Sequence, residues 1–172
     1  MLLEAIRKRR SIRSYLPKEV EEEKIAEILK AAMFSPSAMH RRPWEFILVK
    51  DSLIKEKLAH STNWSSFAGD APLIIVVISD EHKSREWLED ASIVAEHIYL
   101  EAANQGLGTC WIQIRDSKRP DGSNAEHYVR NLLGIPANFR IVCLMSIGYP
   151  AENLPEHQDS EFEERKVHQE KW

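Results

Sequence analysis

The sequence predicts an α+β fold, and three observations carry that prediction. Helical and strand-like stretches occur in one chain without strict β-α alternation. The run Leu73–Ile78 is apolar at every position, as a strand buried on both faces must be. A long stretch from about 84 to 104 repeats apolar residues at helical spacing. With 172 residues, 43% hydrophobic and 29% charged, the chain has the make-up of one domain over residues 1–172, in which 151–172 form a C-terminal arm.

Residues 2–9 form a short helix with Leu2, Leu3 and Ile6 on one face, stopping near Ser11. Glu21, Glu22 and Glu23 open a second helix, where acids suit the positive end of the helix dipole; Ile25, Ile28, Leu29 and Ala32 keep its period, and Phe34-Ser35-Pro36-Ser37 ends it. Trp44–Val49 reads as a strand, and Asp51-Ser52 caps a helix through Leu58. Leu73–Ile78, entered through Pro72, is the candidate sheet centre. In the 84–104 helix, Trp87, Ala91, Val94, Ala95, Ile98, Tyr99 and Ala102 make a wide apolar side that is either the spine of its own domain or half of a subunit interface. Gly106 ends that helix. Residues 108–114 are a strand, 116–124 a surface loop, 125–133 a helix closed by Gly134, and 140–148 the last buried strand. From Ala151 onward seven acids and three cations accompany few apolar residues.

Charge narrows the function classes. Five cations fall within Arg7-Lys8-Arg9-Arg10-Ser11-Ile12-Arg13, in a chain of formal net charge -4. Guanidinium groups stay charged and present forked donors that suit phosphate oxygens, so an unpaired cluster of them points to an anion. By pattern alone such a run also fits a solvated helix face. A nucleic-acid footprint extends well beyond one loop, which a pI near 6.0 without further basic stripes does not offer. No apolar run approaches a membrane span, and the first residues carry no cleavable signal pattern, so a cytoplasmic location is expected. Cys110 and Cys143 read as buried free thiols. No histidine pair has an i, i+4 spacing, and no zinc or other metal site is expected. Gly106-Leu107-Gly108 follows a helix and is a helix stop, not a dinucleotide fingerprint. Trp111 reads as a core aromatic. With no nucleophile-base motif and no carboxylate pair set apart by spacing, an enzyme built on this chain depends on a bound cofactor.

Taken together, the strings RRSIRSY at 9–15, SPSAMHRRPWEF at 35–46, APLIIVV at 71–77, GLGTCWI at 106–112, LGIPANFRIVCLMSIGYP at 133–150 and the tail VHQEKW at 167–172 resemble, in order and spacing, the small members of the FMN-dependent nitroreductase family. The resemblance implies a mostly antiparallel central sheet flanked by helices, in a homodimer whose C-terminal arms are exchanged and whose flavins lie at the subunit interface. It implies that Arg9, Arg10 and Ser11 hold the FMN phosphate. Arg13 falls near the ribityl chain and the N1/O2 edge of the flavin, where a fixed cation favours the reduced state. Pro36, Ser37 and Ala38 match a loop against the other subunit's flavin, and Ile112 and Gln113 a strand end facing the flavin N5 region. Arg165 or Lys166 is a further phosphate contact. The side of the long helix from Trp87 to Ala102 becomes dimer core.

His40 and Arg42 stand where relatives often carry Asn and Gln beside the flavin loop, which bears on the hydrogen bonding there; His40 is kept among the flavin contacts. The insertion that larger relatives fold over the substrate is missing. Trp64 and Phe67 are the candidate lid, with core packing as the plainer reading. The activity implied is electron transfer from NADH or NADPH through FMN to a nitroaromatic, quinone or similar acceptor by a ping-pong mechanism. The alternative is a flavin-binding sensor or carrier without efficient turnover. Beyond a small-molecule acceptor and a second copy of the chain, no nucleic-acid or membrane partner is expected.

Overall fold

The structure, a computed structural model, describes residues 2–172. In chain order its elements are α1 (Glu4–Lys8), α2 (Glu22–Met33), β1 (Trp44–Val49), α3 (Ser52–Ala59), β2 (Leu73–Asp80), α4 (Trp87–Asn104), β3 (Gly108–Gln113), α5 (Ala125–Leu133) and β4 (Phe139–Gly148). Four antiparallel strands lie in the order β1-β2-β4-β3. The α+β class holds, and the apolar 73–78 run is a central strand.

Alternation along β2 decides how the core divides. Leu73, Ile75 and Val77 face α2 and α4, meeting Ile25, Ile28, Val94 and Ile98. Ile74, Val76 and Ile78 face the other way, toward Leu58 of α3 and Val129 of α5. Both faces are covered, so neither side of β2 needs a polar residue. Truncating Ile75, which is fully buried, removes about 2–5 kcal/mol of stability by the usual cost of an unfilled core cavity.

Local signals set several boundaries. The Asp51 carboxylate accepts the Ile54 N–H at 2.9 Å, capping α3. The Asn124 side chain accepts the His127 N–H at 2.8 Å, and Gly134 ends α5 in the left-handed region at φ 67°. Two helices start differently from the sequence expectation. α1 keeps only Glu4–Lys8, and Leu2, Leu3 and Ile6 are exposed. α4 begins at Trp87 because Ser84 turns inward and donates to the Asp90 carboxylate at 2.9 Å, which ties down the approach to the helix.

The wide face of α4 is the spine of this chain. Ala91, Val94, Ala95, Ile98 and Ala102 are fully buried within it against the sheet and α2. This corrects the expectation of a dimer core there: the sheet's apolar face consumes that surface before any second copy can. Only the flank carrying Ile93 is left exposed.

Candidate functional site

The basic loop after α1 is seated on the free edge of the sheet. Ser11 and Thr109 form an isolated parallel bridge, and the Ile12 N–H donates to the Thr109 carbonyl at 3.0 Å. Gly108 allows the approach: a Cβ on it would fall 2.6 Å from the Ile12 side chain. Gly106, at φ 72°, stops the helix as its place after α4 requires. The far end of the loop is pinned by Tyr15, whose buried hydroxyl donates to the Ile12 carbonyl at 2.6 Å and lies 2.7 Å from the Ser146 hydroxyl. Burial pushes the Tyr15 phenol above its ordinary range, so it stays a neutral donor.

Two depressions follow one another along β3. The first lies beside Gly108 and Thr109 and is lined by Arg9, Arg10, Ile12 and Tyr99 among others. The Arg9 guanidinium stands 5.0 Å from the centre of the Tyr99 ring. Thr109 Oγ1 is buried without a hydrogen-bond partner among the described residues, so this depression holds an unused polar atom beside its cations. The second, about 450 Å³, runs beside Cys110–Gln113 and is lined by Arg13, Trp64, Phe67, Trp111, Ile112, Gln113 and Lys118, with Thr62, Asn63 and Ser117. Arg13 lies 5.9 Å over the Phe67 ring, and its backbone N–H donates to the Glu152 carboxylate at 2.5 Å. One continuous edge thus offers cations at one end and aromatic surface with a cation at the other.

Tyr99 joins the parts. Its hydroxyl accepts the Trp111 N–H at 2.7 Å and shares a hydrogen bond of 3.2 Å with the Ser11 hydroxyl. Burial raises its pKa, keeping it protonated. Sequence reasoning placed Tyr99 only on the apolar face of a helix. The available signal was its hydroxyl, which, once buried, must find a partner. Trp111 likewise departs from the core reading: it is half-buried, lines the groove, and donates its indole N–H to Gln113 Oε1 at 2.9 Å. Trp64 departs further, at 84% exposed. Cys110 and Cys143 are buried free thiols, and burial raises the pKa of each.

Within one chain the structure brings together Arg9, Arg10, Ser11, Arg13, Ile112 and Gln113 along β3 and leaves five expected residues, Pro36, Ser37, Ala38, His40 and Arg165, out of its lining. Pro36, Ser37, Ala38 and His40 lie by the other end of α4, where the Ala38 N–H donates to the buried Asp90 carboxylate at 2.9 Å. Asp90 and Ala103, which lines the Arg9 depression, are separated by about 20 Å of helix at 1.5 Å per residue. His40 and Arg42 both have left-handed backbones, at φ 58° and 48°. Arg42 is held there by its N–H to the Ser37 hydroxyl at 3.0 Å and by its guanidinium to the Met33 carbonyl at 2.7 Å. Arg165, 82% exposed, pairs with Glu163 at 2.6 Å, and Lys166 pairs with the same carboxylate. Arg10 has a second task, since its guanidinium also donates to the Pro155 carbonyl at the root of the arm.

Known proteins share this fold. The profile of the nitroreductase family matches residues 6–65 and 52–149. A Methanothermobacter thermautotrophicus protein provisionally named NADH dehydrogenase/NAD(P)H nitroreductase is 38% identical, the match covering 99% of this chain and 87% of the relative. A protein of the same provisional name from Archaeoglobus fulgidus is 35% identical over 99% of this chain and 98% of its own. The solved structure of an FMN-dependent nitroreductase from Clostridium difficile superimposes with a TM-score of 0.96 at 41% identity, covering 99% of this chain and all of the other.

Proposed function

The chain belongs to the nitroreductase family and is an NAD(P)H-linked flavin oxidoreductase, and from that premise we propose that it delivers electrons to nitroaromatic, quinone or similarly electron-poor acceptors by a ping-pong mechanism. The observation that carries the reading is the edge of β3, where the Arg9 depression with its unpartnered Thr109 hydroxyl is followed along the strand by the aromatic groove of Trp111 and Phe67.

The residues fit FMN, a planar ring carried on a phosphate tail. Arg9, Arg10 and Ser11 would hold the phosphate with charge-assisted hydrogen bonds, and the free Thr109 hydroxyl adds a donor. Ile112 and Gln113 would line the ring, and Arg13 would favour the electron-rich reduced ring by fixing a positive charge at its edge. When bound, FMN supplies the redox chemistry, accepting hydride from NADH or NADPH and passing the electrons to the second substrate. The chain's own part is to bind, orient and screen. Tyr99 holds Ser11 and the Trp111 amide in fixed relation, and Ile12, wedged on Gly108, keeps the two ends of the site continuous.

The separation along α4 supports a homodimer. Pro36, Ser37, Ala38 and His40 meet a flavin at β3 only when a second copy presents them. In this reading residues 1–172 are one FMN-binding domain acting in the cytoplasm. No helix among the described residues is long and apolar enough to cross a membrane.

Steady-state kinetics tests the proposal. With FMN bound, NAD(P)H oxidation should depend on menadione or a nitrofuran and give parallel double-reciprocal lines. Intersecting lines would contradict the ping-pong order. Absence of turnover with any such acceptor would contradict the acceptor class.

A further inference from the structure

Lys118 and Trp64 line the groove, both are exposed, and neither has a task in the proposed function. Among the described residues the groove lining holds two cations, Arg13 and Lys118, and no carboxylate. The acids nearest Lys118 in the chain are occupied elsewhere: Asp116 pairs with Arg115 and lies 3.9 Å from Arg140, and Asp121 pairs with Arg119 at 2.7 Å.

Both residues are displayed by built turns. Lys118 is in an isolated bridge with Asn124, and the loop between them closes through the Arg119 N–H to the Ser123 carbonyl at 2.9 Å. The Arg119 guanidinium stacks 3.9 Å over the Tyr128 ring and donates to the His60 carbonyl, which ties this loop to the end of α3. Trp64 follows in that same segment. Buried Ser65 accepts the Thr62 N–H at 2.9 Å and donates to the Ala59 carbonyl at 2.9 Å, and the Trp64 N–H is held by the Thr62 hydroxyl. The indole is left 84% exposed on this constrained turn, where it is available to cover a bound ring.

We propose that Trp64 and Lys118 form an acceptor-selecting rim that favours an aromatic acceptor bearing an anionic substituent: the indole covers the ring and the ammonium receives the carboxylate or sulfonate. This rests on the function proposed above and names its substrate class. For a nitroaromatic carboxylate the first turnover balances as ArNO2 + NADH + H+ → ArNO + NAD+ + H2O, with two electrons moved and one oxygen lost as water. Lys118 takes no part in those bonds. A lysine so placed raises kcat/KM for the charged acceptor by about five- to tenfold, the effect of one partly exposed charge-assisted hydrogen bond.

The test compares 4-nitrobenzoate with the neutral 4-nitrobenzyl alcohol as acceptors, taking the ratio of their kcat/KM within each protein. The natural chain should favour the benzoate, Lys118→Met should bring the ratio close to one, Lys118→Arg should retain it, and added salt should lower it. A ratio near one in the natural chain, or one that survives Lys118→Met, would overturn the proposal. So would a Lys118→Met defect confined to kcat/KM for NADH, since the cation would then serve the coenzyme. Calorimetric binding of 4-nitrobenzoate to the FMN-loaded protein keeps the two readings separate. If no acceptor turns over but the benzoate binds more weakly to Lys118→Met and Trp64→Ala, the functional reading has failed and the rim stands. Equal binding to all three proteins overturns the rim.

Discussion

The hydroxyl of Tyr99 accepts the backbone N–H of Trp111 at 2.7 Å, joining the middle of α4 to the edge strand that carries the site. The same oxygen lies 3.2 Å from the Ser11 hydroxyl, so one side chain fixes the basic loop, the strand edge and the helix together. Tyr99→Phe keeps the ring under Arg9 and removes only the oxygen. It leaves the Trp111 N–H without its acceptor, and urea unfolding should show a loss of about 1–3 kcal/mol. FMN affinity should fall in parallel, because Ser11 loses its orienting partner.

Arg9 tests the phosphate end of the site. Arg9→Ala removes a charge-assisted contact of about 1.5–3 kcal/mol, equivalent to roughly a ten- to hundredfold rise in the Kd for FMN. Fluorescence titration of the apoprotein measures it. Unchanged retention of FMN would remove Arg9 from the phosphate site.

Much of this architecture is legible in the sequence, and the exceptions have a common cause. The unbroken apolar run at Leu73–Ile78 could only be covered on both faces, and Gly134 marked the end of α5. The basic run was visible as charge. Its seat on β3 was not, because the Ser11–Thr109 bridge joins residues far apart in the chain and rests on a missing Cβ at Gly108. Periodicity placed Tyr99 and the α4 face correctly inside but could not say what lay across from them. The face met its own sheet, and the tyrosine hydroxyl met a strand edge. The core alternative for Trp64 fails for the same reason, and Trp111 packs against the core while also lining the groove. An aromatic residue that looks apolar in a sequence serves a core or a groove according to what the fold puts in front of it.

Outside the site, a second network controls acid stability. The Glu126 carboxylate accepts from Arg140 Nε at 2.8 Å and from the Ile141 N–H at 3.0 Å, and lies 3.3 Å from Arg130. Burial acts to raise its pKa, but the Arg140 and Ile141 hydrogen bonds outweigh it and hold the carboxyl below its ordinary range. A lowered folded-state pKa gives stability that is present above the unfolded value, near 4.3 for a glutamate, and is lost as pH falls through the folded value. Glu126→Gln should therefore cost about 1–3 kcal/mol at neutral pH, by weakening the charge-assisted hydrogen bonds from Arg140 and Ile141 while Arg140 keeps Glu81 as a partner at 3.3 Å. That difference from the natural chain should shrink below about pH 4. Urea midpoints at several pH values give the comparison, and a constant difference would refute the assignment.

The arm is rooted on the basic run itself. Arg7 donates to the Asp159 carboxylate at 2.6 Å and to the His157 carbonyl at 3.0 Å, and Arg10 donates to the Pro155 carbonyl. A chain ending at Gly148 should lose dimer mass in light scattering, bound flavin, or both. A truncated protein that remains a fully active dimer would show that the arm is dispensable.

The central claim is that the edge of β3 holds FMN and exchanges electrons through it. The most direct measurement is the absorbance spectrum of the purified, FMN-reconstituted protein under anaerobic conditions, followed through addition of NADH and then of menadione. The account predicts an oxidised-flavin spectrum that bleaches with NADH and returns with menadione. A protein that stays colourless after incubation with FMN, or whose flavin spectrum is unmoved by both NADH and NADPH, would contradict it.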